Sequence, residues 1–306
     1  MNTVVAIGCS ETSEYAFLIP FSAVLWRDVI GFTPRIFLIG DEAEWSCGRL
    51  GATVAALKSQ EIRYQFVPHI DGYIDSTLAQ NVRHYAAASS DIDENQWVMV
   101  SDADIWPIHR DFYHQHVNSL ISLTMKAFSY YSNGDHFQGK EVTLAKWDSG
   151  DWSTLQTLPT CHIAMRAKEW RTLFDLIPDN VVGSMKAYLD RVLKPRFEGK
   201  DPATSGEASW ECWMSDQRIV TERLCRQDWF DSQVRLVSRA GHPPVDRLDR
   251  SHPDDWDGFD VDRWVDAHVL KAPEEEANWS RILPILDVLI PQHGAWARAY
   301  RDAYVS

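Results

Sequence analysis

Over the first third of the chain, short apolar runs alternate with stretches of helical periodicity. Residues 3–7 are apolar and rich in β-formers, and they end in Gly8-Cys9-Ser10. A helical stretch follows through Tyr15, Leu18, Val24, Leu25 and Val29 to Gly31, with Pro20 early in it. Residues 33–39 read as a second strand ending at Gly40-Asp41, residues 42–58 as a helix, and residues 62–67 as a third strand. Ser76 and Thr77 open another helix, with Gln80 placed for a T-x-x-Q capping box and Leu78, Val82 and Tyr85 on one face. Trp97 to Val100 is an apolar run bounded by polar residues, the pattern of a strand buried on both faces. Strands alternating with helices predict parallel βαβ units in a right-handed, doubly wound α/β sheet.

The alternation weakens after Pro107. Residues 123–131 and 160–165 read as strands, and residues 168–176, 180–193 and 215–226 as helices. A short strand is expected at 234–237, a helix at 274–289 kinked at Pro284, and a last helix at 293–304. Residues 136–150, 199–209 and 239–262 read as loops, the first placed to cover a site. No linker separates two domains. The expected organisation is one domain over 1–306, with a nucleotide-binding half (1–107) and a less regular half (108–306).

Composition narrows the function. The chain has 306 residues and a formal net charge of −14, which argues against a nucleic-acid partner. Five scattered cysteines, without a C-x-x-C pair, argue against structural zinc and a disulfide framework. The N-terminus lacks a positive n-region, and the apolar run 16–26 is interrupted by Pro20 and too short for a bilayer. A soluble, cytoplasmic protein with no transmembrane segment is expected. The first strand is followed neither by G-x-G-x-x-G nor by a P-loop, which disfavours a nicotinamide dehydrogenase and a P-loop enzyme.

The chemistry concentrates in Gln96–Pro107, QWVMVSDADIWP. In extended chain residues i and i+2 share a side, so Asp102 and Asp104 present two carboxylates together at the carboxyl end of a strand. Open α/β sheets bind ligands at that end. Adjacent carboxylates repel, and a divalent cation between them relieves the repulsion. An acidic turn is the plainer reading.

The segment resembles the DxD region of GT-A glycosyltransferases, specifically over 96–107 and loosely over the first half. The resemblance implies a Rossmann-like, mostly parallel sheet flanked by helices, with an acceptor-side C-terminal half. It implies a nucleotide-diphosphate sugar donor, most simply a UDP-sugar, and Mn²⁺ or Mg²⁺. The acceptor would be a glycan, glycoprotein or small glycoside. Asp104 would bind the metal, and Asp102 the ribose, the metal or both. His268 in DAHVLKAP resembles the family's third ligand, with Lys271 to reach a phosphate, although the family's usual glycine and tryptophan are missing there. His252 and His242 compete for that role. A mixed oxygen and imidazole set suits Mn²⁺ better than Mg²⁺.

Further candidates follow from position. Ser10, Thr12 and Tyr15, after strand one, are placed for base or ribose, or else Ser10 to Ser13 cap the helix. Asp41 after strand two is a ribose or base contact, or a turn residue. Arg83 is placed for the diphosphate or donor sugar, or lies on the surface. Asp216 in WECWMSDQ is the first choice for a base or sugar-binding acid, with Glu211 and Glu207 next, against a simple N-cap. His162 is a candidate acceptor contact or a buried structural histidine. Arg247, Asp249 and Arg250 hold phosphate or pair among themselves. The competing functions are a sugar-phosphate nucleotidyltransferase, which the loop GCSETSEY disfavours, and a non-catalytic glycan- or nucleotide-binding protein.

Overall fold

The computed structural model describes residues 3–122, 125–131, 155, 157, 158, 160–197, 214–238 and 246–306. The expected alternation is present: β1 (Val4–Cys9), α1 (Ser13–Val24), β2 (Thr33–Ile39), α2 (Gly48–Ser59), β3 (Arg63–Val67), α3 (Asp75–Val82) and β4 (Trp97–Ser101). A π-helical turn, Leu25–Ile30, extends α1 and ends at Gly31, whose φ of 83° suits a residue without Cβ. The stretch read as one helix over 42–58 is broken: a 3₁₀ turn at Glu44–Ser46 precedes α2, and Cys47 between them is extended. The T-x-x-Q box does not form, because α3 starts earlier, with Ile74 at its N-cap and no side-chain cap.

These strands join β6 (Ala127–Tyr131), β7 (His162–Arg166) and β8 (Val234–Ser238) in a seven-stranded sheet of order β3-β2-β1-β4-β7-β6-β8. β1 is parallel to β2 and β4, and β2 to β3. β7 runs against β4 and β6, and β6 is parallel to β8. The class is therefore α/β with a parallel-rich central sheet between helices. The order reverses between β1 and β4, and the crevice beyond their carboxyl ends is where such sheets bind ligands.

Both faces of the sheet are covered. Val5, Ile7 and Cys9 of β1, with Trp97 and Met99 of β4, pack on one side with α1. Val4, Ala6, Val98 and Val100 pack on the other, with α3 and the helices Ala167–Phe174 and Val181–Val192. The continuous apolar runs of β1 and β4 follow from that double burial.

A second sheet was not foreseen. It has the order β5-β10-β9, from β5 (Ile105–Pro107), β9 (Asp246–Asp249) and β10 (Trp264–His268). β10 is antiparallel to β5 and parallel to β9. Arg247 of β9 lies opposite Asp266 of β10, donating through Nε at 2.9 Å and Nη2 at 3.1 Å to a carboxylate with no exposed surface. Part of the segment read as loop over 239–262 is thus a strand and a 3₁₀ turn, Pro253–Gly258. The loops expected at 136–150 and 199–209 lie outside the described residues. Among the described residues, no helix is long and apolar enough to cross a membrane.

Candidate active site

Beyond the carboxyl ends of β1 and β4 lies a cavity of about 240 Å³. Gly8, Cys9 and Ser10 of the β1 end and Asp102, Ala103 and Asp104 after β4 line it. Ser76, Ala79, Gln80 and Arg83 come from α3 and the turn after it. Tyr15, Thr160, Asp216, Gln217, Arg250 and His268 complete the wall. Gly8 lets α3 come this close: a Cβ there would sit 1.9 Å from the Ala79 carbonyl oxygen.

The two carboxylates of SDAD do not lie side by side on extended chain. β4 ends at Ser101, and the chain turns through 102–104, with the Ile105 amide 3.4 Å from the Asp102 carbonyl. Each side chain therefore faces the cavity with its own partners. Asp102, a third exposed, accepts a hydrogen bond from Arg83 Nη1. Asp104 is buried, with Arg250 Nη1 at 3.1 Å and His268 Nε2 at 3.3 Å from Oδ2. Burial would raise the Asp104 pKa, but His268 and Arg250 more than offset it and hold the carboxyl below its ordinary value.

The small sheet brings His268 to Asp104. His268 pairs with Ile105 across β10 and β5, and the Val269 amide donates to the Asp104 carbonyl at 2.9 Å. Asp249, opposite His268 on β9, meets its Nδ1 at 3.2 Å. Burial alone would lower the His268 pKa, but the Asp104 and Asp249 carboxylates push it up to about 9. Asp249 thus fixes the ring and aims Nε2 at the cavity side. A carboxylate behind a histidine in this way is the usual support of a metal-ligating imidazole.

Arg83 is buried rather than on the surface, and each of its three guanidinium nitrogens has a partner. Nε donates to the Gln80 carbonyl at 2.9 Å, Nη1 to Asp102, and Nη2 to Asp216 Oδ2 at 2.6 Å and Thr160 Oγ1 at 3.1 Å. Thr160 also donates to Asp216 Oδ2, at 2.8 Å. Asp216 begins the Ser215–Cys225 helix without capping it: the N-cap is Met214 and no side chain caps the end. Burial and the neighbouring Asp102 charge push the Asp216 carboxyl above its ordinary value despite Arg83. Asn81 Nδ2 donates to Ser215 Oγ at 3.0 Å, tying this helix to α3.

Other candidates lie elsewhere. Thr12 is exposed and meets Ser10 Oγ at 3.2 Å, but does not line the cavity. Asp41 is a turn residue: its Oδ1 accepts from the Glu44 amide at 2.9 Å, and Glu44 Oε2 accepts from the Asp41 amide at 2.8 Å. Lys271 is exposed and absent from the cavity wall, as is His252. His162 is buried between the rings of Trp26 and Tyr113, with centroids at 5.5 and 5.4 Å, and does not reach the cavity. Glu207, Glu211 and His242 lie outside the described residues.

Thr160, Gln80 and Gln217 were not singled out from sequence as site residues, Gln80 having been read only as a capping residue. Gln217 had a signal, as the neighbour of Asp216 on a helix start; Thr160 had none, being a lone threonine before a strand. Among the described residues, no three metal-ligating side chains yet converge on one point. The donor set fits a divalent cation nonetheless. Asp102 and Asp104 offer oxygens to the same cavity, and Nε2 of a carboxylate-supported histidine faces Asp104.

No family model matches the chain, and no curated protein matches it. Among solved structures the chain is similar to the apo form of the glycosyltransferase GlyE of Streptococcus pneumoniae TIGR4, at 10% identity and a TM-score of 0.45 over 97% of this chain. It spans only 64% of the length of GlyE. It is also similar to an active-site mutant of LgtC, at 11% identity and a TM-score of 0.48, covering 95% of this chain and 96% of that one. The galactosyltransferase LgtC with donor and acceptor sugar analogues gives 10% identity and a TM-score of 0.46, over 94% and 95% of the two chains. At such identities, with TM-scores under 0.5, the functional reading rests on the site itself.

Proposed function

We propose that the chain is a metal-dependent glycosyltransferase that takes a sugar from a nucleoside-diphosphate donor, a UDP-sugar in the simplest case, to a glycan or glycoside hydroxyl. One observation carries this reading. Asp102 and Asp104 leave a central strand at the point where the strand order reverses, and His268 meets Asp104 in the same cavity. Asp102, Asp104 and His268 would hold the cation, with Asp249 orienting the imidazole. A divalent cation bound there neutralises the charge that grows on a departing diphosphate.

The remaining side chains fit a donor. Ser10 and Tyr15 stand at the β1 end, where a nucleoside would enter, with a hydroxyl for hydrogen bonding and a ring for stacking. Arg83 fixes Asp102 and Asp216 relative to each other. Arg83 and Thr160 hold Asp216 through Oδ2, and its part in this reading is to position Arg83 and the donor sugar. Gln217 lines the same cavity.

The test is calorimetric titration of UDP, GDP, dTDP and CMP with Mn²⁺ and with EDTA, followed by a metal-dependent donor-hydrolysis assay. Hydrolysis separates a transferase from a binding protein. Formation of a nucleotide sugar from sugar phosphate and nucleoside triphosphate would instead mark a nucleotidyltransferase, a reading that a β1 loop without basic residues disfavours.

A further inference from the structure

Among the described residues of the cavity wall, Arg250 is a cation with donors to spare. Arg83 spends all three guanidinium nitrogens on Gln80, Asp102, Asp216 and Thr160. Arg250 contacts carboxylates through Nη1 alone: Asp104 Oδ2 at 3.1 Å and, more loosely, Glu14 Oε1 at 3.4 Å. Its side chain is 24% exposed and lines the cavity. A guanidinium carries five N–H donors, so most of those of Arg250 remain open to a ligand. Lys271, the cation that sequence pointed to for this task, is exposed and off the wall.

The partner of Arg250 matters as much as its free donors. Asp104 is a carboxylate that the proposed function gives to a divalent cation. Arg250 and His268 already share this buried carboxylate, and a metal ion placed on the same oxygen would repel the guanidinium beside it. Arg250 would leave Asp104 when that cation arrives, and Glu14 on α1 holds it at the cavity edge. An arginine released beside a metal is well suited to a diphosphate, whose oxygens take the planar fork in pairs.

We propose that Arg250 is an exchange cation: it neutralises Asp104 in the ligand-free site and turns to the donor diphosphate once a divalent cation takes Asp104. This rests on the proposed function, since it assumes a nucleoside diphosphate and a divalent cation in this cavity. It assigns the diphosphate contact to the turn after β9 rather than to the segment after β10. It also makes the two ligands respond to one substitution in opposite senses.

The experiment is calorimetry on the full chain, wild type against Arg250→Gln and Arg250→Lys, with folding checked by circular dichroism. Mn²⁺ alone is titrated first, then UDP and GDP at saturating Mn²⁺. Arg250→Gln is expected to tighten Mn²⁺ binding roughly threefold to tenfold, by removing a competing ion pair. It should weaken the nucleoside diphosphate about tenfold to a hundredfold, the value of a charge-assisted hydrogen bond. Arg250→Lys keeps a point charge without the fork, and should fall between on both. Both affinities falling together, either one staying unchanged, or a lysine variant no different from glutamine would overturn the proposal. Wild-type protein that binds Mn²⁺ but no nucleoside diphosphate would overturn the donor reading itself, and that shows before any variant is made.

Discussion

His268 Nε2 lies 3.3 Å from Asp104 Oδ2, although the two residues come from distant parts of the chain. The backbone enforces the meeting: Asp104 directly precedes β5, His268 ends β10, and the Val269 amide donates to the Asp104 carbonyl at 2.9 Å. His268→Ala removes one proposed ligand while leaving that backbone contact intact. Mn²⁺-dependent nucleotide binding should weaken by at least roughly tenfold to a hundredfold, the range for loss of a group that only supports a ligand. Calorimetry that finds unchanged affinity would remove His268 from the site.

Arg83 is the charge that holds two carboxylates together inside the wall. Its side chain and that of Asp216 are each only 3% exposed. Arg83→Met would leave Asp216 buried without its cation, at a cost of about 3–5 kcal/mol. Arg83→Lys should recover only part, because one ammonium does not reproduce the fork that spans Asp102, Thr160 and Asp216. Urea unfolding measures this, and a loss below about 1 kcal/mol, the range of an exposed pair, would contradict it.

Gly8→Ala tests the packing that shapes the cavity. The added Cβ would meet the Ala79 carbonyl at 1.9 Å, a backbone atom that cannot swing away. α3 must then move off β1, at about 1–3 kcal/mol for overpacking. Because Ala79, Gln80 and Arg83 line the cavity, nucleotide affinity should fall with stability. A stable variant with wild-type binding would show that α3 can shift without disturbing the site.

Much of this arrangement could be read from sequence, and the limits have physical causes. β1, β2 and β4 announced themselves because a strand buried on both faces needs a continuous apolar run, as in Trp97–Val100. Ser10, Tyr15, Arg83, Asp102, Asp104, Asp216 and His268 all stand on one cavity wall. β5, β9 and β10 were not legible because IWP is only three residues, WVDAH carries a carboxylate among its apolar residues, and DRLD looks like a charged loop until Arg247 meets Asp266. Asp41 and Thr12 misled because a residue at a strand end reads the same whether it caps a turn or faces a ligand. The separate partners of Asp102 and Asp104 depend on Arg83, His268 and Arg250, which local sequence does not relate to them.

A pH-dependent contribution to stability is expected at His69, which does not line the cavity. His69 lies between Asp75 Oδ1 at 2.7 Å and Glu44 Oε2 at 2.8 Å. Hydrogen bonds to Asp75 and then Glu44 raise its pKa from 6.5 to about 9. A folded-state pKa above the unfolded one stabilises fully below the unfolded value and fades as pH rises through the folded value. The stability difference between wild type and His69→Gln should therefore be largest near pH 6 and vanish above about pH 9. Its size should be small, since the ring is 46% exposed. Urea midpoints across that range that show no trend, or the opposite one, would refute the pairing.

The most direct test of the central claim is UDP-, GDP-, dTDP- and CMP-sugar binding by calorimetry, with Mn²⁺ or EDTA, on wild type and Asp104→Asn. The account predicts that one nucleotide class binds wild type in Mn²⁺, loses affinity at least about a hundredfold in EDTA, and loses it as far in Asp104→Asn, as removing a metal or its anionic ligand should. Binding indifferent to metal and to Asp104, or no binding by any donor, would contradict it and leave SDAD as an acidic turn stabilised by Arg83, Arg250 and His268.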